Sequence, residues 1–326
     1  NVGTEVVVPN NVTINGVNMH SMPRWPVMHN NSLYYFNFIY YLENGNPYTQ
    51  HALGIFRYDP ATGETVKLLD LGSEFNPITY YSYGFSKVSG DNIYYYLSRI
   101  VSNRYQIDLY AYNIPANTMT RLFTEPKPSI NLLMPHSMGD KLYFVNVKDP
   151  SQYNNRPETH VYATNGTVSG TLRLTNYQIP AFYSGYLPES NDIIIPYWGP
   201  GYFTQFKDKV YFSDCDSSKG YEVYQSDGSA NGTRLLKDIG PGAEGGMTRY
   251  LTVCNNSLFM LACQTPTGAE LWKSDGTEAG TVMVSDIYPT TGNSSPANLT
   301  NLNGTLFFQA SGTTGKELWK SDGTTG

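Results

Sequence analysis

Short apolar runs alternate with polar turn signals along the chain, and the clearest example lies between residues 249 and 287. The apolar run at 250–253 is followed, after a two-residue turn, by Leu258 to Ala262. A longer loop leads to Glu270 to Lys273, and an Asp-Gly turn leads to Thr281 to Ile287. Asp-Gly favours tight turns because both central residues tolerate positive φ. The pattern predicts four antiparallel strands, which we name a, b, c and d in chain order.

This four-strand pattern is repeated, and its strongest mark is the octapeptide ELWKSDGT at residues 270–277 and again at 317–324. More divergent copies occupy residues 209–239, 141–175, 92–117 and 32–71. The first apolar residue of strand b is found at Leu33, Ile93, Leu142, Val210, Leu258 and Leu306. The unit is therefore about 48 residues long with two insertions, which is the size of a four-stranded propeller blade.

One register accommodates all six copies. The aromatic residue at the Trp position of ELW falls at Phe56, Tyr110, Tyr162, Tyr224, Trp272 and Trp319. The Asp or Asn of the following turn falls at Asp59, Asn113, Asn165, Asp227, Asp275 and Asp322. Because the Asp is repeated at one structural position, we interpret it as a turn device rather than a reaction centre.

The repeat predicts an all-β fold: a six-bladed β-propeller of four-stranded antiparallel blades, with the ring closed by the N-terminal strand. A single domain is expected over residues 1–326. The blades are expected at residues 23–72, 80–125, 130–176, 201–240, 248–288 and 297–326, the last together with 3–8. Two packed β-sandwiches are the alternative, but they would not require so regular a four-strand register.

The octapeptide and its variant QSDGSANGT resemble the ELWxxDGT repeat of secreted and surface proteins of bacteria and some algae. The resemblance is specific over residues 209–326 and degenerate before them. It implies a propeller or propeller-like array and an extracellular location, and it brings no catalytic motif.

The strand that closes the ring is expected at residues 3–8, because the sixth copy stops after strand c and its turn. Gly3-Thr4 matches Gly280-Thr281, and Val6 to Val8 match the apolar run after Thr281. An unpaired strand c exposes a row of backbone donors and acceptors. The same strand can close its own chain or insert into a neighbouring subunit in a head-to-tail fibre, and the sequence leaves both open.

Composition and charge narrow the classes of partner. The formal net charge is -6, and no basic patch for nucleic acid or polybasic membrane anchor is present, so we expect no nucleic-acid partner and no membrane insertion. The chain has 28 tyrosines against 21 Lys plus Arg, which is typical of strand-rich extracellular proteins. Because it begins at Asn rather than Met, a removed leader is consistent with a secreted or cell-surface protein.

Three insertions depart from the repeat, at residues 43–51, 148–158 and 176–201, and all map to the face that carries the b-to-c and d-to-a loops. Binding in repeat folds concentrates at such insertions. The third insertion holds the interaction-face candidates Tyr177, Phe182, Tyr183, Tyr186, Tyr197 and Trp198. Their composition suits sugar stacking or a protein interface, and the alternative is packing on the blade tops.

Glycosylation and disulfide candidates follow from motif and spacing. Asn-x-Ser/Thr sequons occur at Asn11, Asn30, Asn165, Asn231, Asn255, Asn293, Asn298 and Asn303. Several of these fall in short turns, where Asn is also favoured for its conformation alone. Cys215 and Cys263 stand 48 residues apart in equivalent positions, so a disulfide between them is a candidate, whereas Cys254 is expected as a free thiol.

Chemistry-bearing motifs are scarce. Asp214, Asp216 and Ser218 have a spacing that suits Ca²⁺, but Lys219 stands where an EF-hand needs Gly, and a solvated loop is favoured. We expect no cofactor, no metal and no catalytic residue, since neither HExxH nor G-x-S-x-G is present.

The sequence favours a non-enzymatic extracellular structural or adhesive module. It is expected to act as the protomer of a glycosylated surface filament or layer, through self-assembly or contact with other surface proteins. One alternative is a carbohydrate-binding lectin that recognises glycans. The other is a polysaccharide hydrolase or lyase with a carboxylate pair contributed by the blades.

Overall fold

The structure is a computed structural model that describes most of the chain. The described residues are 11–14, 17–43, 46–71, 80–81, 86–101, 104–126, 131–148, 158–175, 177–178, 201–289 and 291–324. They form six antiparallel sheets, which confirms the all-β, six-bladed β-propeller fold. Within this part of the chain, no helix is long and apolar enough to cross a membrane.

The chain divides into two compact units, which we describe separately. Unit 1 covers residues 1–129, 139–141 and 165–171. Unit 2 covers residues 130–138, 142–164 and 172–326. The expectation of one domain over residues 1–326 stays a prediction.

Unit 1 contains the first two sheets. Sheet 1 runs in chain order through β1 (Asn11–Ile14), β2 (Val17–His29), β3 (Ser32–Glu43), β4 (Asn46–Asp59) and β5 (Glu64–Asp70). Sheet 2 contains β6 (Tyr80–Tyr81), β7 (Ser86–Ser89), β8 (Asn92–Val101), β9 (Arg104–Asn113) and β10 (Thr118–Pro126), with β6 and β7 both paired to β8. Buried aromatic residues of the two sheets pack together, and the rings of Phe36 and Tyr95 meet edge to face at 4.4 Å.

Unit 2 begins with sheets 3 and 4. Sheet 3 contains β11 (Asn131–Met138), β12 (Lys141–Lys148), β13 (Glu158–Thr164), β14 (Leu172–Arg173) and β15 (Tyr177–Gln178), with β14 and β15 both paired to β13. Sheet 4 contains β16 (Gly201–Phe206), β17 (Lys209–Asp216), β18 (Gly220–Ser226) and β19 (Arg234–Lys237). Val145 and Val161 of sheet 3 share a core with Val210, Phe212 and Tyr224 of sheet 4, so the two sheets pack face to face.

Sheets 5 and 6 complete unit 2. Sheet 5 contains β20 (Arg249–Cys254), β21 (Ser257–Gln264), β22 (Gly268–Ser274) and β23 (Val282–Ser285). Sheet 6 contains β24 (Ala297–Leu302), β25 (Thr305–Gly312) and β26 (Gly315–Ser321). Sheets 4 and 5 follow the four-strand pattern a, b, c and d, and ELWKSDGT supplies strand c with its turn in sheets 5 and 6.

The predicted register holds in all six sheets. The fourth residue of each strand b lies directly opposite the aromatic residue of the ELW position, in the pairs Tyr35 and Phe56, Tyr95 and Tyr110, Phe144 and Tyr162, Phe212 and Tyr224, Met260 and Trp272, and Phe308 and Trp319. Because a slip of one residue would turn every side chain to the other face, this agreement sets the buried face of each sheet. The predicted closing strand, residues 3–8, lies outside the described residues.

Candidate functional site

The Asp of the repeat motif organises a turn, as predicted. In sheet 5, Oδ1 of Asp275 accepts hydrogen bonds from the backbone N–H of Thr277 at 2.9 Å and from its hydroxyl at 2.7 Å. The hydroxyls of Ser274 and Thr281 lie 2.8 Å apart and tie the two ends of the turn together. Sheet 4 repeats the arrangement around Asp227. These side chains are satisfied by the turn itself, so the motif is structural.

The Glu of the motif anchors a loop. Glu270 is fully buried, and its carboxylate accepts hydrogen bonds from the N–H of Ile287 at 2.9 Å, the N–H of Ser294 at 3.0 Å and the hydroxyl of Ser294 at 2.6 Å. All three donors belong to the segment that connects β23 to β24. Burial raises the pKa of Glu270, and the Ser294 hydroxyl opposes that rise. Here a buried charge is compensated by a full set of donors.

Sheet 4 departs from this arrangement because it carries a second carboxyl group. Asp214 of β17 lies directly opposite Glu222 of β18, whereas Ala262 lies opposite Glu270 in sheet 5. Directly opposed residues of antiparallel strands have Cβ atoms about 4.5 to 5.5 Å apart and leave the same face. Both carboxyl groups have no exposed surface. We call Asp214 and Glu222 the carboxyl pair.

Glu222 holds the loop that follows β19, but with fewer donors than Glu270. Its Oε1 accepts the N–H of Gly240 at 2.7 Å and the N–H of Gly246 at 2.8 Å. Its Oε2 has no well-aligned hydrogen-bond partner among the described residues, although the backbone N–H of Ile239 also acts on the carboxylate and opposes a rise of its pKa. Burial raises the pKa of Glu222 to about 7, against the opposing effect of the backbone N–H groups.

Asp214 is also incompletely compensated. Its Oδ1 accepts the N–H of Cys215 at 2.8 Å, and its Oδ2 has no well-aligned partner among the described residues. Burial raises the pKa of Asp214 to about 7, while the Cys215 N–H and the Thr175 hydroxyl lower it and the charge of Asp216 raises it further. Two buried carboxyl groups that titrate near neutrality on one sheet face are a candidate acid–base site.

The carboxyl pair lies where the third insertion leaves sheet 3. Thr175 is buried, and its hydroxyl accepts the N–H of Val161 at 3.0 Å while it faces Asp214 of the next sheet. Two residues later, Tyr177 pairs with Thr159 of β13. In sheet 3 the two positions that correspond to the carboxyl pair are occupied by the buried residues Asn146 and His160. Polar residues therefore fill both positions in two successive sheets.

The predicted interaction face lies almost entirely outside the described residues. Of its six aromatic residues, only the backbone of Tyr177 is described, in β15, and Phe182, Tyr183, Tyr186, Tyr197 and Trp198 lie outside. Its role stays a prediction.

The Asp214, Asp216 and Ser218 spacing does not bring three oxygen ligands together. Asp214 is buried in the sheet, whereas Oδ1 of Asp216 accepts the N–H groups of Ser218 and Lys219 in a tight turn. No group of three or more His, Cys, Asp or Glu residues that could hold a metal occurs in the described part of the chain. The Asp216 side chain is used by its own turn.

The proposed disulfide is not formed, because Cys215, Cys254 and Cys263 are all free thiols. Cys215 lies opposite Tyr221 in sheet 4, and Cys263 lies opposite Ala269 in sheet 5. Equivalent positions of two successive sheets project their side chains in the same direction, so the two sulfur atoms do not face each other. Cys254 is a buried free thiol, as expected.

The sequons lie mainly in turns. Asn30, Asn165, Asn231, Asn255 and Asn303 each stand between two consecutive strands and are exposed. Asn293 and Asn298 are exposed as well, and Asn11 begins β1. Asn30, Asn255 and Asn303 adopt positive φ, which Asn tolerates better than most residues and which accounts for their presence without glycosylation. Modification of these residues stays a prediction.

Sequence motifs alone do not mark the carboxyl pair as an acid–base site. Glu222 stands two residues before the aromatic of the motif, where Glu is the repeated residue, and the spacing of Asp214 in the sequence suggests only a calcium ligand. The residue opposite the motif Glu is Asp214 in sheet 4, whereas it is Ala262 in sheet 5 and Ala310 in sheet 6. This difference between the copies distinguishes Asp214. The repeat thus contains the signal, but only once the strand pairing is known.

Comparisons with known proteins identify no family. No protein-family model matches the chain, and no curated protein matches it. The resemblance to the ELWxxDGT repeat therefore stays a prediction.

Several solved structures are similar to the chain at low identity. The propeller domain of the Trilobed protease from Pyrococcus furiosus, described as having an open velcro topology, matches at 10% identity and a TM-score of 0.40, over 93% of this chain and 81% of that one. An acylaminoacyl peptidase from Pyrococcus horikoshii matches at 12% identity and a TM-score of 0.39, over 93% of this chain and 45% of that one. An oligogalacturonate lyase in complex with manganese matches at 11% identity and a TM-score of 0.40, over 89% of this chain and 85% of that one.

These similarities correct the prediction of a non-enzymatic structural or adhesive module. The similar structures named by an activity are enzymes, including peptidases and a lyase, and that prediction is withdrawn. The chain spans about half the length of the peptidases it matches, with 45% for the acylaminoacyl peptidase and 50% for a prolyl endopeptidase. At such low identity, no reaction or substrate is transferred from them to this chain.

Proposed function

We propose that this chain is the propeller of an enzyme that cleaves polysaccharides by hydrolysis or elimination, with Asp214 and Glu222 as its acid–base pair. The observation that carries the proposal is the carboxyl pair itself. Two buried carboxyl groups occupy directly opposed positions, and each keeps one oxygen without a well-aligned donor. The repeat needs only the Glu to hold the loop, so Asp214 adds a cost in stability that the fold does not require.

The protonation behaviour of the pair suits acid–base chemistry near neutral pH. Since burial raises both pKa values to about 7, the protonated and the ionised forms of both groups are accessible near neutral pH. In a hydrolase, the protonated member gives its proton to the departing sugar oxygen while the ionised member activates water or attacks the sugar. In a lyase, the ionised member removes a carbon-bound proton and the protonated member gives one to the departing oxygen.

The substrate class is supported by the segment that begins beside the pair. Residues 176–201 contain six Tyr, Phe or Trp side chains among the interaction-face candidates, and the segment starts next to Thr175. Aromatic rings present flat apolar faces that stack on sugar rings. A secreted or cell-surface location belongs to the same proposal, since polysaccharides of walls and matrices are met outside the cell. It is supported by the tyrosine-rich composition and the exposed sequons.

Access to the pair requires movement of the loop at residues 239–246. That loop covers Glu222 through the N–H groups of Gly240 and Gly246, and Gly245 forms a backbone bridge with Tyr221. Protonation of Glu222 removes the charge that strengthens both N–H contacts. The protonated state therefore favours opening of the loop.

The test is turnover by the purified chain on a panel of neutral and acidic polysaccharides. New reducing ends report hydrolysis, and absorbance of an unsaturated product reports elimination. We expect Asp214→Asn and Glu222→Gln each to lower turnover by about 10² to 10⁴-fold, because each removes a proton-transfer group without changing its volume. Glu278→Gln is the matched control, since its side chain is exposed in the turn of sheet 5.

Full turnover in both Asp214→Asn and Glu222→Gln would contradict the proposal. Binding of a polysaccharide without any turnover would replace it with the alternative of a carbohydrate-binding propeller.

A further inference from the structure

Sheets 4 and 5 differ at a second place next to the carboxyl pair. Gly246 and Ser294 are 48 residues apart and hold equivalent positions in the loops that Glu222 and Glu270 anchor. Each donates its backbone N–H to the buried Glu, at 2.8 Å from Gly246 and at 3.0 Å from Ser294. Only Ser294 adds a hydroxyl, which reaches Oε2 of Glu270 at 2.6 Å. In sheet 4 that hydroxyl donor is missing, and Oε2 of Glu222 has no well-aligned partner among the described residues.

The backbone at residue 246 does not itself require glycine. Gly246 is outside the positive-φ region, in contrast to its neighbour Gly245 at φ 67°. A Cβ atom at residue 246 would lie 2.8 Å from Oε2 of Glu222, 3.0 Å from Cβ of Ile239 and 3.1 Å from Oε1 of Glu222, so a side chain there would meet the carboxyl group directly and would require a small shift of its neighbours. The room around residue 246, rather than its backbone conformation, therefore favours glycine, and the nearest group is the carboxyl of Glu222.

We propose that Gly246 is a positioning residue for Glu222: by withholding the hydroxyl that Ser294 supplies in the next sheet, it leaves Oε2 available for proton exchange with a substrate. This inference rests on the proposed function of the carboxyl pair and assigns the residue that separates a reactive Glu from a purely structural one. Each hydrogen bond that a carboxylate accepts favours its charged form and lowers its pKa. A buried carboxylate that accepts fewer hydrogen bonds is therefore protonated more readily. Glu270 and Glu222 therefore both anchor a loop, but only Glu222 lacks the hydroxyl donor and is a candidate acid–base group.

The experiment compares three variants of the whole chain. Gly246→Ser restores the donor, Gly246→Ala adds a Cβ without a hydroxyl, and Ser294→Gly makes the opposite change in sheet 5. The readouts are turnover and the pKa of the labelled Glu carboxyl carbons followed by NMR, with the Glu222 signal assigned from its loss in Glu222→Gln. The other titratable groups around Glu222, namely Asp214, Lys219, Asp238 and Cys263, are the same in all three variants.

We expect Gly246→Ser to lower the pKa of Glu222 by about one unit or more and to lower turnover at least about 10-fold. Gly246→Ala should not lower that pKa, because a methyl group donates no hydrogen bond. Ser294→Gly should raise the pKa of Glu270 and leave turnover unchanged.

The inference is overturned if Gly246→Ser leaves the pKa of Glu222 unchanged, or if Gly246→Ala reproduces the loss of turnover in full. Should Gly246→Ser fail to fold, Ser294→Gly and Ser294→Ala decide the role of the hydroxyl in sheet 5, and an unchanged pKa of Glu270 in both overturns the inference. A chain that turns over no polysaccharide contradicts the proposed function, whereas the two pKa measurements still test the effect of residue 246 on Glu222.

Discussion

At the scale of single residues, the molecule shows how a buried Glu can be compensated or left reactive. Glu270 accepts three hydrogen bonds from its loop, and Glu222 accepts two through one oxygen only. The side chain opposite is Ala262 in one sheet and Asp214 in the other. Burial without hydrogen-bond donors disfavours the ionised form of a carboxyl group. The free energy of unfolding therefore decreases when the pH is high enough to ionise that group.

The pH dependence of stability follows from the raised pKa of Asp214. Because that pKa moves from 3.8 to about 7 on folding, the neutral acid is favoured in the folded state. The stability that this contributes is fully present below about pH 4 and is lost as the pH rises through about 7. At about 1.4 kcal/mol per unit, the loss is of the order of 4 kcal/mol.

Asp214→Asn, which cannot ionise, should therefore gain stability over the parent chain as the pH is raised. Urea unfolding at pH 5 and pH 8 measures this, and the gain should be about 3 kcal/mol larger at pH 8, because about two of the roughly three units between the two pKa values lie above pH 5. Glu278→Gln should show no such difference. An equal effect of Asp214→Asn at both pH values would mean that Asp214 does not titrate in this range.

At the scale of the elements, the repeat motif does more than close a hairpin. Gly276 of the sheet 5 turn has φ 96°, and a Cβ there would lie 2.8 Å from Oη of Tyr211 in sheet 4. Gly323 stands in the same relation to Phe259, at 2.8 Å from its Cζ. The Gly of the motif is thus needed for two reasons: it adopts the positive φ of the turn, and it leaves room for an aromatic side chain of the preceding sheet. Turn chemistry predicted the first role, and only the structure shows the second.

A Gly276→Ala variant separates these two roles by comparison with Gly63→Ala. Gly63 also has positive φ, at 72°, but no atom lies within 4 Å of the position its Cβ would occupy. We expect Gly276→Ala to lower the free energy of unfolding by about 1 kcal/mol more than Gly63→Ala, because it adds a contact to the backbone strain. Urea unfolding measures both, and Tyr211→Phe combined with Gly276→Ala should recover part of the difference. Equal costs for the two single variants would rule out a role for the Tyr211 contact.

At the scale of the whole molecule, neighbouring sheets within each compact unit are joined by shared apolar cores. Within unit 2, one cluster combines Tyr211 and Leu236 of sheet 4 with Met260 and Trp272 of sheet 5. A second combines Leu271 of sheet 5 with Phe308 of sheet 6. Each copy buries only part of its apolar face by itself, so the stability of unit 2 depends on contacts between neighbours.

Met260→Ala tests this dependence. Met260 has no exposed surface and packs between the two sheets, so its truncation should cost about 2 to 5 kcal/mol in the free energy of unfolding. Met28→Ala is the control, since 55% of Met28 is exposed and its truncation should change stability by less than about 0.5 kcal/mol. Chemical denaturation of both variants provides the comparison, and a cost for Met260→Ala no larger than that of the control would count against a shared core.

The sequence by itself determined the strands, their turns and the common register, because alternation of apolar residues and the conformational demands of Asp-Gly act over a few residues. The equivalence of Phe212 with Met260 and of Tyr224 with Trp272 follows from that register alone, and the structure then shows that each aromatic of strand c lies opposite its partner in strand b. Only the tertiary structure decided which polar side chains are buried together and which oxygen atoms lack donors. The donors of Glu222 come from Gly240 and Gly246, 18 and 24 residues away, and Thr175 reaches Asp214 from another sheet. Compensation of a buried charge depends on distant groups, so the same Glu of the motif is an anchor in one sheet and a candidate acid in the other.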